Sequence, residues 1–215
     1  TKTINKKNVF DFTGVEINSS RQFNEYLLDD VSIMVAFNKR NNEQVILSDM
    51  LKFAVDFEGP IAIRYPRGEA YDGLEDKRQP IEYGKAEWIY KEQDIALLAV
   101  GSMVKTAEAV YAKLKEQGKN VSLLNARFVK PIDEEAVLEA CENHTLFVTM
   151  EENVASGGYG EKVLDCLQKN GKEVPLLRIA IPDAYVEHGS VDLLKKEIGL
   201  DADSIVERIL RRMQQ

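Results

Sequence analysis

Ile95-Ala-Leu-Leu-Ala-Val100 is a run of six apolar residues, the pattern of a β-strand that is buried on both faces of a sheet. Gly101-Ser102 then turns the chain, and we predict a helix from about Lys105 to Gln117. Gly118 marks the end of this helix, because glycine is favoured just beyond a helix C-terminus. The next strand is predicted over Val121–Leu124. Strand, helix and strand in this order favour a parallel sheet.

The same alternation continues to the end of the sequence. Asp133 is expected to cap a helix that carries Glu134 and Glu135 in its first turn. The further predicted elements are strands over about 146–149 and 175–181 and helices over about 160–169, 190–198 and 204–213. We therefore predict an α/β fold, a mostly parallel sheet with helices on both faces. Ligands of such sheets gather at the carboxyl ends of the strands.

The residues before this segment predict part of a second α/β unit. We expect strands over Val31–Ala36 and Ile61–Ile63, with a helix from Ser48 to Asp56 between them. Residues 1–30 are expected to be irregular, because asparagine and aspartate favour turns. Residues 71–83 are charged and contain a proline, which indicates a loop between domains.

Composition and charge exclude several classes of function. The chain has 215 residues, 44% apolar and 30% charged, and its net charge is −8. An acidic surface argues against nucleic acid or an anionic membrane as a partner. No apolar run reaches the roughly 18 residues that a membrane span needs. The first residues contain no apolar segment of a signal peptide, and we expect a cytoplasmic protein.

Two cysteines, Cys141 and Cys166, are too few for a disulfide scaffold or a zinc site. We expect both to be reduced thiols that pack like small apolar residues. The sequence Cys141-Glu-Asn-His144 leaves open an alternative, in which the histidine activates the cysteine as a nucleophile.

Two further motifs have both a chemical and a structural interpretation. Glu151-Glu152-Asn153 follows a predicted strand, where paired carboxylates can transfer protons, cap a helix or bond across an interface. We favour the interface. Ser156-Gly-Gly-Tyr-Gly160 precedes a helix and could bind a phosphate group at the helix N-terminus. The alternative is a tight turn that lets the helix pack closely on its neighbour.

Arg64-Tyr-Pro-Arg67-Gly68 is the strongest candidate binding site in the sequence. Two arginines leave the carboxyl end of a predicted strand, and the proline between them restricts the backbone. Such a pair suits a phosphate monoester, which offers several acceptor oxygens and more charge than a carboxylate. The alternative is one or two salt bridges to the acidic surface.

Several motifs over about residues 47–215 resemble the 1-deoxy-D-xylulose-5-phosphate synthase family. The motifs are Ser48-Asp-Met-Leu-Lys-Phe-Ala-Val55, Gly59-Pro-Ile-Ala-Ile-Arg-Tyr-Pro-Arg-Gly68, Asn125-Ala-Arg-Phe-Val-Lys-Pro-Ile-Asp133, Val148-Thr-Met-Glu-Glu-Asn153, Gly157-Gly-Tyr-Gly-Glu161 and Ile181-Pro-Asp-Ala-Tyr-Val-Glu-His-Gly189. The β chains of pyruvate dehydrogenase E1 share only the paired glutamates and the glycine motif. The first two motifs resemble the end of the family's pyrimidine-binding domain, and the others resemble its transketolase-type C-terminal domain.

The resemblance implies a reaction and a substrate-binding residue. The family condenses pyruvate with D-glyceraldehyde 3-phosphate and releases carbon dioxide, using thiamine diphosphate and Mg²⁺. Its product feeds isoprenoid, thiamine and pyridoxal synthesis, and its members are homodimers. By this resemblance Arg67 binds the phosphate of glyceraldehyde 3-phosphate. Arg64 is the weaker candidate, which either orders the loop or pairs with a neighbouring carboxylate.

The resemblance also implies a domain division and a missing part. Residues 1–80 are expected to be a partial pyrimidine-binding domain, in which 1–46 match no family motif. Residues 81–93 are the predicted linker, and 94–215 are the C-terminal domain. The family's Gly-Asp-Gly motif for the metal and diphosphate does not occur in this sequence. We therefore expect a truncated or proteolytic product that lacks the N-terminal portion of the enzyme, binds no cofactor and is inactive alone.

Two other functions remain open on the sequence alone. The chain could be a free-standing assembly module that docks on a separately encoded partner of a split thiamine-diphosphate enzyme, as E1 β chains do. It could also be a small phosphate- or nucleotide-binding protein that uses Gly157–Gly160.

Overall fold

The structure, a computed structural model, describes residues 32–35, 45–65, 73–74, 77 and 79–214. The predicted irregular segment 1–30 and Arg67 lie outside the described residues. The elements in chain order are β1 (Ser32–Val35), α1 (Val45–Asp56), β2 (Ile61–Arg64), β3 (Glu87–Tyr90), β4 (Asp94–Ala99), α2 (Met103–Glu116), β5 (Val121–Asn125), β6 (Phe128–Lys130), α3 (Glu134–Ala140), β7 (His144–Val154), α4 (Tyr159–Lys169), β8 (Leu176–Ile181), α5 (Val191–Glu197) and α6 (Ala202–Met213).

The larger sheet has five strands in the order β3-β5-β4-β7-β8. Strands β5, β4, β7 and β8 run parallel to one another, and β3 pairs antiparallel with β5 at one edge. The apolar run predicted as a buried strand is β4, whose residues 95–99 have no exposed surface. The prediction of a mostly parallel α/β sheet is confirmed.

Alternate residues of β4 contribute to two separate cores, one on each face of the sheet. Ile95, Leu97 and Ala99 face the side covered by α2 and α6. Ala96 and Leu98 face the side covered by α3 and α4. This alternation follows from the twofold side-chain period of a strand, and it explains why the whole run is apolar.

The smaller sheet has the order β2-β1-β6, with β1 parallel to β2 and antiparallel to β6. Helix α1 packs against it through Met50 and Ala54, which form a third core with Ile61 and Phe128. The predicted strands over 31–36 and 61–63 are β1 and β2, and the helix predicted from Ser48 begins three residues earlier. Phe128 begins β6, three residues after β5 ends, so the chain passes directly from the larger sheet into the smaller one.

The predicted linker over 81–93 contains a strand that the sequence analysis did not predict. Strand β3 pairs with β5, with Glu87 opposite Asn125 and Trp88 opposite Leu124. Glu-Trp-Ile-Tyr is short and begins with a charged residue, so its pattern alone does not indicate a strand. Residues 87–90 of the predicted linker therefore belong to the larger sheet. The wider division into domains stays a prediction.

A buried arginine fixes the chain that leads into β3. Arg127 donates to the carbonyl oxygens of Gln79 at 2.7 Å and Pro80 at 2.9 Å, and it also pairs with the buried Glu87 carboxylate. Arg127 has a φ of +51°, an uncommon backbone conformation for a residue with a side chain. The contacts hold residues 79–80 against the larger sheet.

Candidate functional site

Arg64 joins the carboxyl ends of β2 and β7. Its guanidinium donates one hydrogen bond to the side-chain oxygen of Asn153 and a second, at 3.3 Å, to the backbone carbonyl oxygen of Glu152. Among the described residues these bonds link β2 to β7, and the Arg64 charge also acts on the nearby Glu152 carboxylate. Whether Arg64 orders its loop or pairs with a carboxylate stays a prediction. Arg67, the stronger candidate, lies outside the described residues, and its role stays a prediction.

Glu152 is the centre of a polar cluster at the same edge. Its carboxylate accepts hydrogen bonds from the Ser102 hydroxyl, just after β4, and from the Lys195 ammonium on α5. Burial acts to raise the pKa of Glu152, but the bonds from Lys195 and Ser102 and the charges of Lys195 and Arg64 outweigh it and lower that pKa. A general acid at neutral pH needs a raised carboxyl pKa. Glu152 therefore serves as an acceptor that links three elements.

Glu151 fills the N-terminus of α4. Its side chain is buried, with 1% of its surface exposed. The carboxylate accepts backbone hydrogen bonds from Tyr159 at 2.7 Å and Gly160 at 2.9 Å, and a side-chain bond from Asn153 at 3.3 Å. The first backbone N–H groups of a helix attract an anion, and here the chain supplies its own. The phosphate-binding interpretation of Gly157–Gly160 is therefore wrong.

The glycines of this loop are required by close approach. A Cβ atom on Gly158 would lie 2.6 Å from both carboxylate oxygens of Glu151. A Cβ atom on Gly160 would lie 2.7 Å from the Thr149 hydroxyl and 3.0 Å from the Arg178 side chain. The alternative interpretation, a tight turn that lets the helix pack closely on the sheet, is confirmed.

Comparison with known proteins is consistent with this fold and with these motifs. The family described as transketolase, C-terminal domain, matches residues 84–205. The chain belongs to this transketolase C-terminal domain family. The match begins within the predicted linker and includes β3, in agreement with the place of that strand in the larger sheet.

Several curated relatives of this transketolase-type chain are synthases. It is 51% identical over 164 residues to 1-deoxy-D-xylulose-5-phosphate synthase of Lachnoclostridium phytofermentans, which covers 76% of the chain and 26% of the relative. It is 38% identical over 184 residues to the synthase of Caldanaerobacter subterraneus subsp. tengcongensis, covering 86% of the chain and 29% of the relative. The predicted resemblance to this synthase family is confirmed. The chain spans about a quarter of the length of these relatives.

Solved structures support the fold. One is described as a split gene transketolase, inactive beta4 tetramer; it has a TM-score of 0.77 and 22% identity, and the match covers 86% of this chain and 58% of that one. Another is the transketolase of Campylobacter jejuni, with a TM-score of 0.55, 15% identity, and coverage of 85% and 26%. At these identities the likeness shows a shared transketolase fold.

The two cysteines of this transketolase-type domain are free thiols, as expected. Burial raises the pKa of the Cys166 thiol to about 11 and raises the pKa of Cys141 as well. His144 does not contact Cys141, because its two ring nitrogens lie 2.7 Å from the Ala140 carbonyl oxygen and 2.7 Å from the Ser122 hydroxyl. The alternative in which His144 activates Cys141 is therefore wrong. The histidine instead holds the start of β7 through its contacts with Ala140 and Ser122.

The described residues do not form a metal site built from protein side chains alone. Within the part of the chain that the structure describes, no group of three His, Cys, Asp or Glu side chains could hold a metal ion. The helix N-terminus that could bind a diphosphate is filled by Glu151.

None of the described helices is long and apolar enough to cross a membrane.

Sequence reasoning missed two residues of this edge. Ser102 lies three residues after β4 and occupies the N-cap position of the next helix, so the rule that functional groups gather at the carboxyl ends of parallel strands could have identified it. Lys195 lies on α5 and reaches Glu152 only through the tertiary fold. No local pattern distinguishes Lys195 from the neighbouring lysine at 196.

Proposed function

We propose that this chain is the carboxy-terminal part of a thiamine-diphosphate-dependent 1-deoxy-D-xylulose-5-phosphate synthase. The whole enzyme, a transketolase-type transferase, would condense pyruvate with D-glyceraldehyde 3-phosphate to 1-deoxy-D-xylulose 5-phosphate and carbon dioxide. The product would supply isoprenoid, thiamine and pyridoxal synthesis. The observation that carries this proposal is the 51% identity over 164 residues to a curated synthase.

Arg67 is the residue proposed to bind the substrate phosphate. We rank Arg67 above Arg64 because the Arg64 side chain already donates to Asn153 and to the backbone of Glu152. Arg67 follows Arg64 by three residues in the same motif. A guanidinium group can donate two parallel hydrogen bonds to phosphate oxygens, which provides both charge and orientation.

The remainder of the enzyme is proposed to supply the groups that hold thiamine diphosphate and Mg²⁺. The chain spans 26% of its relative, and its sequence lacks the Gly-Asp-Gly motif, so the isolated chain is expected to be inactive. When bound, thiamine diphosphate supplies the carbon nucleophile for pyruvate. The complete enzyme is proposed to be a cytoplasmic homodimer.

A second candidate function is an assembly module of a split thiamine-diphosphate enzyme. The fold neighbour described as a split gene transketolase, with its TM-score of 0.77, favours keeping this candidate. In that case a separately encoded chain with a Gly-Asp-Gly motif would complete the enzyme. Co-purification of such a chain from the source cells would favour this candidate over the single-chain synthase.

Product formation tests the proposed function. We would join this chain to the preceding part of the Lachnoclostridium phytofermentans synthase and assay the full-length enzyme beside the isolated chain. Both receive pyruvate, D-glyceraldehyde 3-phosphate, thiamine diphosphate and Mg²⁺. We expect deoxyxylulose phosphate from the full-length enzyme and none from the isolated chain. A folded full-length enzyme without product would overturn the proposal, and turnover by the isolated chain would overturn its expected inactivity.

A further inference from the structure

Residues 182–193 leave the carboxyl end of β8 and expose large apolar side chains. Tyr185 has 92% of its surface exposed, Val191 has 65% and Leu193 has 62%. Helix α5, which contains the last two of these residues, has no buried residue. A tyrosine and two branched aliphatic residues exposed within nine positions make this segment a candidate interaction surface.

The described contacts of this segment are few. Within the part of the chain that the structure describes, no hydrogen bond or ion pair joins residues 185–189 to another element. The loop touches α5 at Gly189, where an added Cβ atom would lie 3.2 Å from the Leu194 side chain. Within the described part of the chain, the exposed side chains of Tyr185, Val191 and Leu193 are therefore available to another surface.

The segment adjoins the polar cluster at the carboxyl edge. Lys195 anchors α5 to the Glu152 carboxylate, which follows the buried part of β7. The backbone of Glu152 also receives the Arg64 side chain from β2. Helix α5 is thus linked through Glu152 to Arg64, which is the last residue of β2 and the first residue of the motif that contains Arg67. Groups supplied by the rest of the enzyme would have to reach this edge.

Charge distinguishes between two possible occupants. Residues 182–193 contain Asp183, Glu187 and Asp192 and no lysine or arginine. A contact between two copies through this segment would bring like charges together, which opposes association. The net charge of −8 adds to this repulsion. A surface complementary to this segment would be apolar at its centre and would carry lysine or arginine around it.

We propose that residues 182–193 dock on an apolar, basic surface of the part of the full-length synthase that this chain does not span. The proposal rests on the proposed function. The chain covers 26% of its relative, so nearly three quarters of that enzyme is available to form the contact. Tyr185 and Leu193 form the centre of the contact, because large apolar groups at the middle of an interface contribute most of its affinity.

Photo-crosslinking in the full-length enzyme tests the location of the contact. A benzophenone amino acid replaces Tyr185 in the joined synthase described above, and the matched control carries it at Leu164, a residue of α4 with 47% exposure. We expect Tyr185 to crosslink to a peptide from the preceding part of the same subunit, and Leu164 not to do so. A crosslink from Tyr185 to residues 182–193 of a second copy overturns the proposal in favour of a self-interface.

Two further outcomes separate the docking from the proposed function. An enzyme that forms deoxyxylulose phosphate but gives no crosslink at Tyr185 overturns the docking surface alone. If Tyr185 gives the crosslink but the folded, unsubstituted full-length enzyme forms no product, the proposed function is overturned, on which the assignment of the partner rests.

Thermal unfolding provides an independent test with simple variants. In the isolated chain, Tyr185→Ser with Leu193→Ser should shift Tm by less than about 2 °C, since exposed substitutions have small effects. In the full-length enzyme the same pair should lower Tm by more than Leu164→Ser does. An equal and large loss of Tm in both proteins would show that these side chains stabilise the chain itself, and would overturn the proposal.

Discussion

Replacement of Glu151 by glutamine should destabilise the chain strongly, although the two side chains have nearly the same shape. The carboxylate accepts backbone hydrogen bonds from Tyr159 and Gly160, and only 1% of its surface is exposed. A glutamine has one acceptor oxygen, so its NH₂ group would face one of these N–H donors. Loss of a hydrogen bond to a charged group costs about 1.5–3 kcal/mol. Loss of the charge at the helix N-terminus adds about 0.3–1 kcal/mol.

We therefore expect Glu151→Gln to lower the free energy of unfolding by about 2–4 kcal/mol. The assay is urea unfolding of the isolated chain, followed by the fluorescence of its single tryptophan, Trp88. The matched control is Glu142→Gln, the same substitution at an exposed position, which should change the free energy by less than about 0.5 kcal/mol. Equal effects of the two substitutions would refute the role assigned to Glu151.

Three further results are expected. Gly158→Ala should lower the free energy of unfolding by about 1–3 kcal/mol, because its Cβ atom would lie 2.6 Å from the Glu151 carboxylate; an unchanged urea midpoint would contradict the close approach. Glu152 has a lowered pKa in the folded chain, so it stabilises the fold above the ordinary value of 4.5 and loses this effect as the pH falls below that value. Between about pH 5 and pH 3 the wild-type chain should lose more stability than Glu152→Gln, and identical pH profiles would contradict the lowered pKa. Cys166, with a pKa of about 11 and 1% exposure, should react slowly with iodoacetamide at about pH 8 in the folded chain and rapidly in urea.

The sequence predicted the elements whose local pattern is strong. The run 95–100 is buried on both faces, and its apolar character alone is enough to identify a central strand. Strand β7 extends from His144 to Val154, beyond the predicted 146–149. The prediction ended too early because Glu151 and Glu152 interrupt the apolar pattern of the sequence. Strand β3 was missed, since it exists through pairing with β5 rather than through its own four residues.

The candidate site was predicted only in part, because its local motifs are visible in the sequence but the contacts between them depend on the tertiary fold. The position of Arg64 at a strand end follows from the sequence, but its partner Asn153 lies 89 residues away and depends on the tertiary fold. The glycine loop has the pattern of an anion site, and the structure shows that the anion is Glu151 of the same chain. A sequence pattern specifies the charge that a helix N-terminus needs, but not whether a ligand or a side chain supplies it.

Phosphate selectivity tests most directly whether Arg67 binds the substrate phosphate in a deoxyxylulose-phosphate synthase. In the full-length enzyme, kcat/KM is measured for D-glyceraldehyde 3-phosphate and for D-glyceraldehyde, with Arg67→Lys as the variant that keeps the charge. Arg67→Ala should lower kcat/KM for the phosphorylated aldehyde by roughly 10- to 150-fold, the equivalent of about 1.5–3 kcal/mol. Arg67→Lys should cause a smaller loss, and the value for unphosphorylated aldehyde should stay the same in both variants. An equal loss with both aldehydes, or no loss with either, would contradict the account.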